Sequence, residues 1–429
     1  MTAPTVPLRS VADVRVSNVD KKSDASEKAV RLCNYTDVYY NGVITDRLPL
    51  MTATATPQQI ARFGLMGGDS IITKDSETVD DIGVPTFVPV DLPGVVCGYH
   101  LALIRPQPKI DPRFLSWALH SGFVSDQLAV RASGVTRFGL TYGAIKGLQI
   151  PSLALPEQRR IADFLDDQVT RIDKAIQRRR TMIERMAERL RSETQSLVLG
   201  RIDQSPCRSP EGPLLPVPSG WQARRNRYFM HEVVDPSETG SEEMLTVSHI
   251  TGVTPRSEKT VYMFEAATNE GYKRVKPGDL VINTMWAWMG ALGVAATSGI
   301  VSPAYGVYRF FGDGLNPRYF DALFRSPAYV TEMTRYSRGV WSSRLRLYPD
   351  SFLALTSPIP PISVQDEIAS HVDAAKLGVA SSTDALERSL ALLEERKRSL
   401  ITAAVTGEFD VSSASVRASG EAIDAPDAR

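Results

Sequence analysis

The feature that most constrains this chain is that it repeats itself at a fixed offset. SLALPEQRRIADFLDD at 152–167 returns as PISVQDEIASHVDA at 361–374, pairing Pro151, Gln158, Ile161 and Asp166 with Pro358, Gln365, Ile368 and Asp373. Each pair is separated by 207 positions. The offset persists to LVLGRID at 197–203 and AVTGEFD at 404–410, matching Gly200 to Gly407 and Asp203 to Asp410. Upstream, short insertions shift the register: DPRFLSWALHS at 111–121 aligns with NPRYFDALFRS at 316–326, and Gly68-Asp69 with Gly278-Asp279. A duplication of this size predicts two copies of one structural unit instead of one continuous core. The length of 429 residues fits two domains with additional elements.

Each half reads as a mixed segment followed by one long helix. Strand signals are β-rich runs such as VPTFVPV, GVVCGYHLALI and GVYRFF, broken by glycine, proline and aspartate. The helices show a different period. From Glu157 to Leu199, Ile161, Leu165, Ile172, Ile176, Ile183, Met186, Leu190 and Leu197 are spaced by threes, fours and sevens. Ile368, Val372, Ala375, Val379, Leu386, Leu390, Leu393, Leu400 and Ala404 form the matching stripe. Stripes of about forty residues with no internal proline predict coiled-coil-like helices of roughly 60 Å at 1.5 Å per residue. Neither helix can bury its stripe alone, so the two are expected to pair. Antiparallel pairing would relate the halves by a pseudo-twofold axis, with one globular module at each end. Pro156 and Pro361 mark the helix starts, and Gly200 and Gly407 their ends.

Composition narrows the class. Hydrophobic residues at 43% and charged residues at 23% are those of a packed globular protein. The start MTAPTVPLRS lacks the order of a secretory signal, and no apolar run reaches the ~20 residues needed to span a bilayer. A cytoplasmic protein with no membrane partner is expected. The apolar stretch MWAWMGALGVAA at 285–296 has the length of a buried core segment. Cys33, Cys97 and Cys207 are scattered and odd in number, which predicts no disulfide framework, and the five histidines show no paired metal spacing. No metal site is expected. Lysine plus arginine equals aspartate plus glutamate at 49 each, so any nucleic-acid surface must be local.

The proline, the EQ with isoleucine three positions beyond the glutamine, the LD and the long helix closing on VTGEFD together resemble the conserved regions of type I restriction-modification specificity subunits. ALPEQRRIADFLDD and LITAAVTGEFD carry most of the resemblance, and VPSGW at 217–221 and PGDLVIN at 277–283 add to it. It covers about residues 8–410. The second copy lacks a glutamate before Gln365, and the first ends LGRID where the family more often has a TGE-like ending. What the resemblance implies is an α+β protein. Two tandem mixed α/β target recognition domains, 1–150 and 221–357, would be separated by two long antiparallel coiled-coil helices in the conserved spacers 151–203 and 358–410. A proline-rich linker at 204–220 and a disordered tail at 411–429 complete the division. Each domain would read one half of a bipartite site in double-stranded DNA, and the helices would dock two methyltransferase subunits. Motor-nuclease restriction subunits would join the complex. The methyltransferase brings the S-adenosylmethionine, so this chain would need no cofactor and perform no catalysis.

The candidate DNA contacts lie in the loops preceding each long helix, where basic residues interleave with aromatics and glycine. SGVTRFGLTYGAIK at 133–146 offers Arg137, Tyr142 and Lys146; RYSRGVWSSRLR at 335–346 offers Arg335, Arg338, Trp341, Arg344 and Arg346. Arginine can read guanine edges bidentately, and lysine can hold phosphates.

Two alternatives compete. An adenine methyltransferase-like enzyme is suggested by NPRY at 316–319, but the first copy reads DPRF at 111–114, so the shared feature is a helix cap followed by proline. A coiled-coil scaffold without a DNA role would keep the helices and leave the modules unexplained. Gly68-Asp69 and Gly278-Asp279 read as tight turns, not as catalytic carboxylates. The run Arg178–Arg180 reads as a solvated helix face.

Overall fold

The computed structural model describes residues 3–200, 215, 217–258, 268–339 and 345–411. Most of the expected linker, all but the first residue of the expected tail, and Cys207 lie outside them. The chain is a mixed α+β protein that divides into two compact units, Met1–Arg179 with Glu387–Arg429 and Arg180–Leu386.

Two helices dominate, Leu155–Val198 with 44 residues and Ile362–Thr406 with 45. Pro156 sits in the first turn of one, and Pro361 immediately precedes the other, its carbonyl accepting from the amides of Val364 and Gln365 at 2.9 and 3.0 Å. Gly200 and Gly407 follow the ends with φ of 63° and 75°, the left-handed conformation that closes a helix and favours glycine. Each compact unit contains part of both helices, and in each the parts run antiparallel. In the first unit Asp173 meets Lys397 at 2.7 Å, and six residues on Arg179 donates to the Ser389 hydroxyl at 2.9 Å. In the second, Glu193 meets His371 at 2.8 Å while Val198 shares a core with Ile368. The helix-face reading of the arginine run therefore needs correcting at its centre. Arg178 and Arg180 are exposed, but Arg179 is half-buried because its position faces the neighbouring helix.

The expected stripes are unevenly buried. Ile161, Leu165, Ile172 and Ile176 are buried at one end of the first helix, as are Ile368 and Val372 in the second, whereas Ile183, Met186, Leu190 and Leu386 are only half-buried. The deep burial occurs where helices meet modules. In the first unit, Ile401, Ala404 and Val405 pack with Leu8, Phe114, Leu119 and Ile150. In the second unit, Val198 and Leu199 pack with Phe229, Tyr319 and Phe352. The far end of each repeat's helix thus completes the core of the other repeat's module.

The modules share a plan. Each opens with a strand paired antiparallel to the strand that precedes its own long helix: Thr5–Pro7 with Gln149–Pro151, and Gln222–Arg225 with Thr356–Ile359. Each then builds a four-stranded antiparallel sheet. In the first its order is Ala12–Val16, Leu101–Pro106, Ser70–Thr73, Pro85–Phe87. In the second it is Met230–Glu232, Gly306–Phe310, Leu280–Ile282, Leu292–Val294. These sheets are covered on both faces, and the two-residue period of a strand sorts their side chains. Ile72, Ala102 and Ile104 join the core shared with the helices, while Ile71, Leu101 and Leu103 join a second core with Leu32, Val96 and Cys97. In the other module Leu280, Ile282 and Tyr308 face the helix-containing core, and Val281 and Val307 face Leu245 and Val301.

Candidate nucleic-acid interface

Each module carries the same ion pair at the start of a central strand, with its carboxylate buried and its guanidinium half-buried. Gly68 and Gly278 turn the chain with φ of 92° and 89°, and the following aspartates are almost fully buried. Asp69 accepts two bonds from the Arg105 guanidinium at 2.8 and 2.7 Å and one from the Met66 amide at 2.8 Å. Asp279 repeats this with Arg309 at 2.8 and 2.8 Å and the Lys276 amide at 2.9 Å. The carboxylates raise the affinity of both guanidinium groups for their protons. A carboxylate engaged on both oxygens in this way fixes the turn, as expected for the glycine-aspartate pairs.

A second matched contact joins each module to a long helix. Gln158 and Gln365 are buried, and their Oε1 atoms accept from the amides of Asp111 and Asn316 at 2.7 and 2.9 Å. Asp111 and Asn316 are themselves helix caps, accepting from Arg113 N at 3.0 Å and Arg318 N at 2.9 Å. The NPRY motif is therefore structural. Asn316 also donates to Asp366, so both ends of its amide are engaged.

The candidate loops are closed by backbone bonds of their own. In the first module Ser133 and Gly139 exchange backbone bonds of 3.1 and 2.8 Å around Val135–Arg137. Gly134 has φ of 143°, and a Cβ there would stand 2.0 Å from the Arg137 carbonyl oxygen, so only glycine closes this turn. Arg137 is exposed, Tyr142 is half-exposed, and Lys146 Nζ lies 4.8 Å from the Tyr142 ring centroid. In the second module Arg338 and Arg346 exchange backbone bonds of 2.9 and 2.8 Å. Both side chains are exposed; the Arg346 guanidinium lies 5.7 Å from the Tyr348 ring, and Arg335 pairs with buried Glu332 at 3.3 Å. Trp341 and Arg344 lie outside the described residues.

Each loop lies against the segment that follows the aspartate strand, tied by the same backbone bond. Leu140 N donates to Lys74 O at 2.9 Å, and Leu347 N donates to Thr284 O at 2.9 Å. What these segments present differs. In the first module Asp75 is held by His100 and Lys74. Burial opposes its charge, but the two partners outweigh burial and keep the carboxyl below the usual carboxylate range. Nearby, Tyr35 stacks on Tyr39 at 5.6 Å, Tyr39 meets Tyr40 edge-on at 4.9 Å, and the Tyr39 hydroxyl donates to Asp81. Burial, and then Asp81, push the Tyr35 phenol above its ordinary value against smaller pulls from Ser76 and Arg137.

The second module carries Met285-Trp286-Ala287-Trp288-Met289 at this place. The expectation of a buried core segment across 285–296 fails in its first half: Ala287 is buried, but Met285, Trp286 and Met289 are 46%, 50% and 36% exposed. A short 3-10 turn is the reason. It points Ala287 inward and its neighbours outward, and Gly290 ends it in the left-handed conformation. Apolar character in the sequence does not by itself distinguish these exposed residues from buried ones. The signal available was the two tryptophans flanking a single small residue.

The geometry of this chain has counterparts among solved structures. The chain is similar to a chain from a structure of the type I R-M system concerned with complex assembly and conformational transition, with a TM-score of 0.64, 17% identity, and coverage of 95% of this chain and 98% of that one. It is also similar to the HsdS subunit from Thermoanaerobacter tengcongensis, with a TM-score of 0.51, 18% identity, and coverage of 95% and 97%. The fold is that of a type I restriction-modification S subunit. The likeness spans both modules and both long helices, so the resemblance carried by the PEQ and VTGEFD motifs reflects a shared architecture. No family model and no curated protein sequence matches the chain. Among the described residues no helix is long and apolar enough to cross a membrane.

Proposed function

We propose that this chain is the DNA-specificity subunit of a type I restriction-modification complex. The observation that carries this reading is the pairing of a matched frame with unmatched presented surfaces. Both modules share the aspartate-arginine pair, the glutamine contact and the backbone bond that ties the candidate loop, yet one presents Arg137, Tyr142 and Lys146 and the other Trp286, Arg338 and Arg346. Two readers of one construction with different side chains suit a bipartite, asymmetric target. The modules at 1–150 and 221–357 would each read one half-site of double-stranded DNA. Arg137, Tyr142, Lys146, Arg335, Arg338 and Arg346 would supply phosphate and base contacts.

The chain would itself be non-catalytic. The long helices would dock two methyltransferase subunits, and restriction subunits would join that assembly in the cytoplasm. Exposed apolar side chains on those helices, Met182, Leu377 and Leu392 at 54%, 73% and 66%, are suited to a protein partner.

Salt dependence of binding tests the reading against a scaffold without a DNA role. The chain, copurified with its methyltransferase, should lose affinity for its target steeply as salt rises from about 50 to 200 mM, because each neutralised phosphate releases counterions. An affinity independent of salt would favour the scaffold. Leu390→Pro, which interrupts the second long helix, should abolish copurification with the methyltransferase; undiminished recovery of the complex would remove the docking role from that helix.

A further inference from the structure

We propose that the second module engages its half-site with an apolar wedge, Trp286 supported by Met285 and Met289, which enters between adjacent base pairs and unstacks them locally. This inference rests on the DNA-recognition reading above and adds a mode of binding that the first module does not share.

The wedge is built and held before any ligand arrives. Trp286 stacks on Trp288 with ring centroids 6.1 Å apart and planes 16° from parallel. Trp288 is pinned in turn: its Nε1 donates to Met285 O at 3.0 Å, and its own carbonyl accepts from the Thr334 hydroxyl at 3.4 Å. The base of the turn is tied to the module, with Thr284 Oγ1 donating to Ala304 O at 2.9 Å and Met285 N donating to Asn283 Oδ1 at 3.3 Å. A rigid aromatic pair loses little conformational entropy on insertion, which is the main cost of using long side chains for contact.

Its surroundings select the occupant. Thr284, next to Met285, accepts the Leu347 amide at 2.9 Å, which brings Arg346 and, through the Arg338–Arg346 backbone bonds, Arg338 to the margin of the exposed apolar group. Arg335 extends from the helix Pro327–Tyr336 that packs on the turn. Exposed Tyr336 and Tyr348 lie on the same two segments. Apolar side chains rimmed by arginines suit a polyanion whose interior is a stack of flat apolar bases. Apolar wedges between base steps, with cationic side chains on the flanking phosphates, are an established way for proteins to bend duplex DNA. The equivalent residues of the first module, Asp75 and Ser76, are polar and are tied into strand pairing with Gly139 and Phe138.

The test uses the chain assembled with its methyltransferase subunits and a duplex bearing its methylation target. The fluorescent adenine analogue 2-aminopurine is placed in turn at each position of the half-site assigned to the second module. Its emission is quenched by stacking, so a several-fold rise at one step is expected on binding. Trp286→Ala should abolish the rise and weaken affinity by about 10-fold or more, whereas Trp286→Phe should keep most of both. Arg338→Ala should reduce the salt dependence and leave the rise in place. A tightly bound wild-type complex with no rise at any position, or a Trp286→Ala complex like wild type, would overturn the wedge and leave the recognition reading intact. Loss of methyltransferase copurification by Trp286→Ala without DNA would make the patch a protein interface and also overturn it. A wild-type complex with no preference for any DNA sequence would sink the recognition reading itself.

Discussion

At the backbone carbonyl that accepts from the candidate loop, the first module has Lys74 and the second Thr284, and from there the two copies diverge. One continues into Asp75 and Ser76 and gathers His100, Tyr35 and Arg137 around them; the other continues into Met285 and Trp286 and turns its aromatic rings outward. Much of the frame beneath that point is shared. The aspartate-arginine pairs, the buried glutamines and the order of the four strands agree copy for copy. Residues that position the surface have thus been held, while residues that form it have changed, as expected where one construction serves two different targets.

The largest effects should come from the shared frame and should be equal in the two copies. Asp69→Ala and Asp279→Ala each remove the carboxylate from a half-buried guanidinium and the acceptor from a turn amide, at a cost of about 1–3 kcal/mol to the unit concerned, measured as loss of hydrogen-exchange protection in that unit. A large effect in one copy alone would break the comparison. Gln158→Ala and Gln365→Ala should each cost about 1–3 kcal/mol, because the first leaves a backbone amide and one carbonyl without their partner and the second an amide and two carbonyls.

Effects on the presented surface should be confined to one half-site. Arg346→Ala should weaken binding by roughly 10-fold, within the ~1–3 kcal/mol of a good arginine-base contact, and relax preference only in the half read by the second module. Arg137→Ala should do the same for the other half. Relaxation of both halves by either variant would show that the surfaces are not independent.

The smallest effect is acid sensitivity where the first module's aspartate strand ends. The Asp75 carboxyl is held low by His100 and Lys74, so its charge contributes stability that is complete above the usual carboxylate range and is lost as pH falls through its depressed value. The second module has Met285 at this place and should show no matching loss. Hydrogen exchange around Ser70–Thr73 should rise more on acidification than around Leu280–Ile282, and Asp75→Asn should remove the difference. An equal acid response in both strands would sharpen the comparison against Asp75.

Much of the frame was legible in the sequence because its signals are local. The helix caps Asp111 and Asn316, the terminal glycines 200 and 407 and the glycine-aspartate turns each follow from backbone geometry that a few neighbouring residues dictate. The internal repeat and the stripe spacing gave the long helices and their antiparallel pairing. What periodicity does not encode is the partner of each stripe. That Val198 and Leu199 would finish the core around Phe229, and Ile401 and Val405 the core around Phe114, depends on chain path and not on local pattern. Arg179 was misread for the same reason, since a charge run says nothing of which face meets a neighbour. The Met285–Met289 turn was misread because hydrophobicity does not reveal exposure when a single buried alanine anchors the segment.

Whether one chain supplies two independent halves of a DNA target is decided by a base-resolution adenine methylome of host DNA with and without this gene, the methyltransferase partner being present in both. Deletion should remove methylation from one split motif, and restoring the gene with Arg346→Ala should relax one half of that motif only. A methylome unchanged by deletion, in cells whose methyltransferase is active, would contradict the recognition reading.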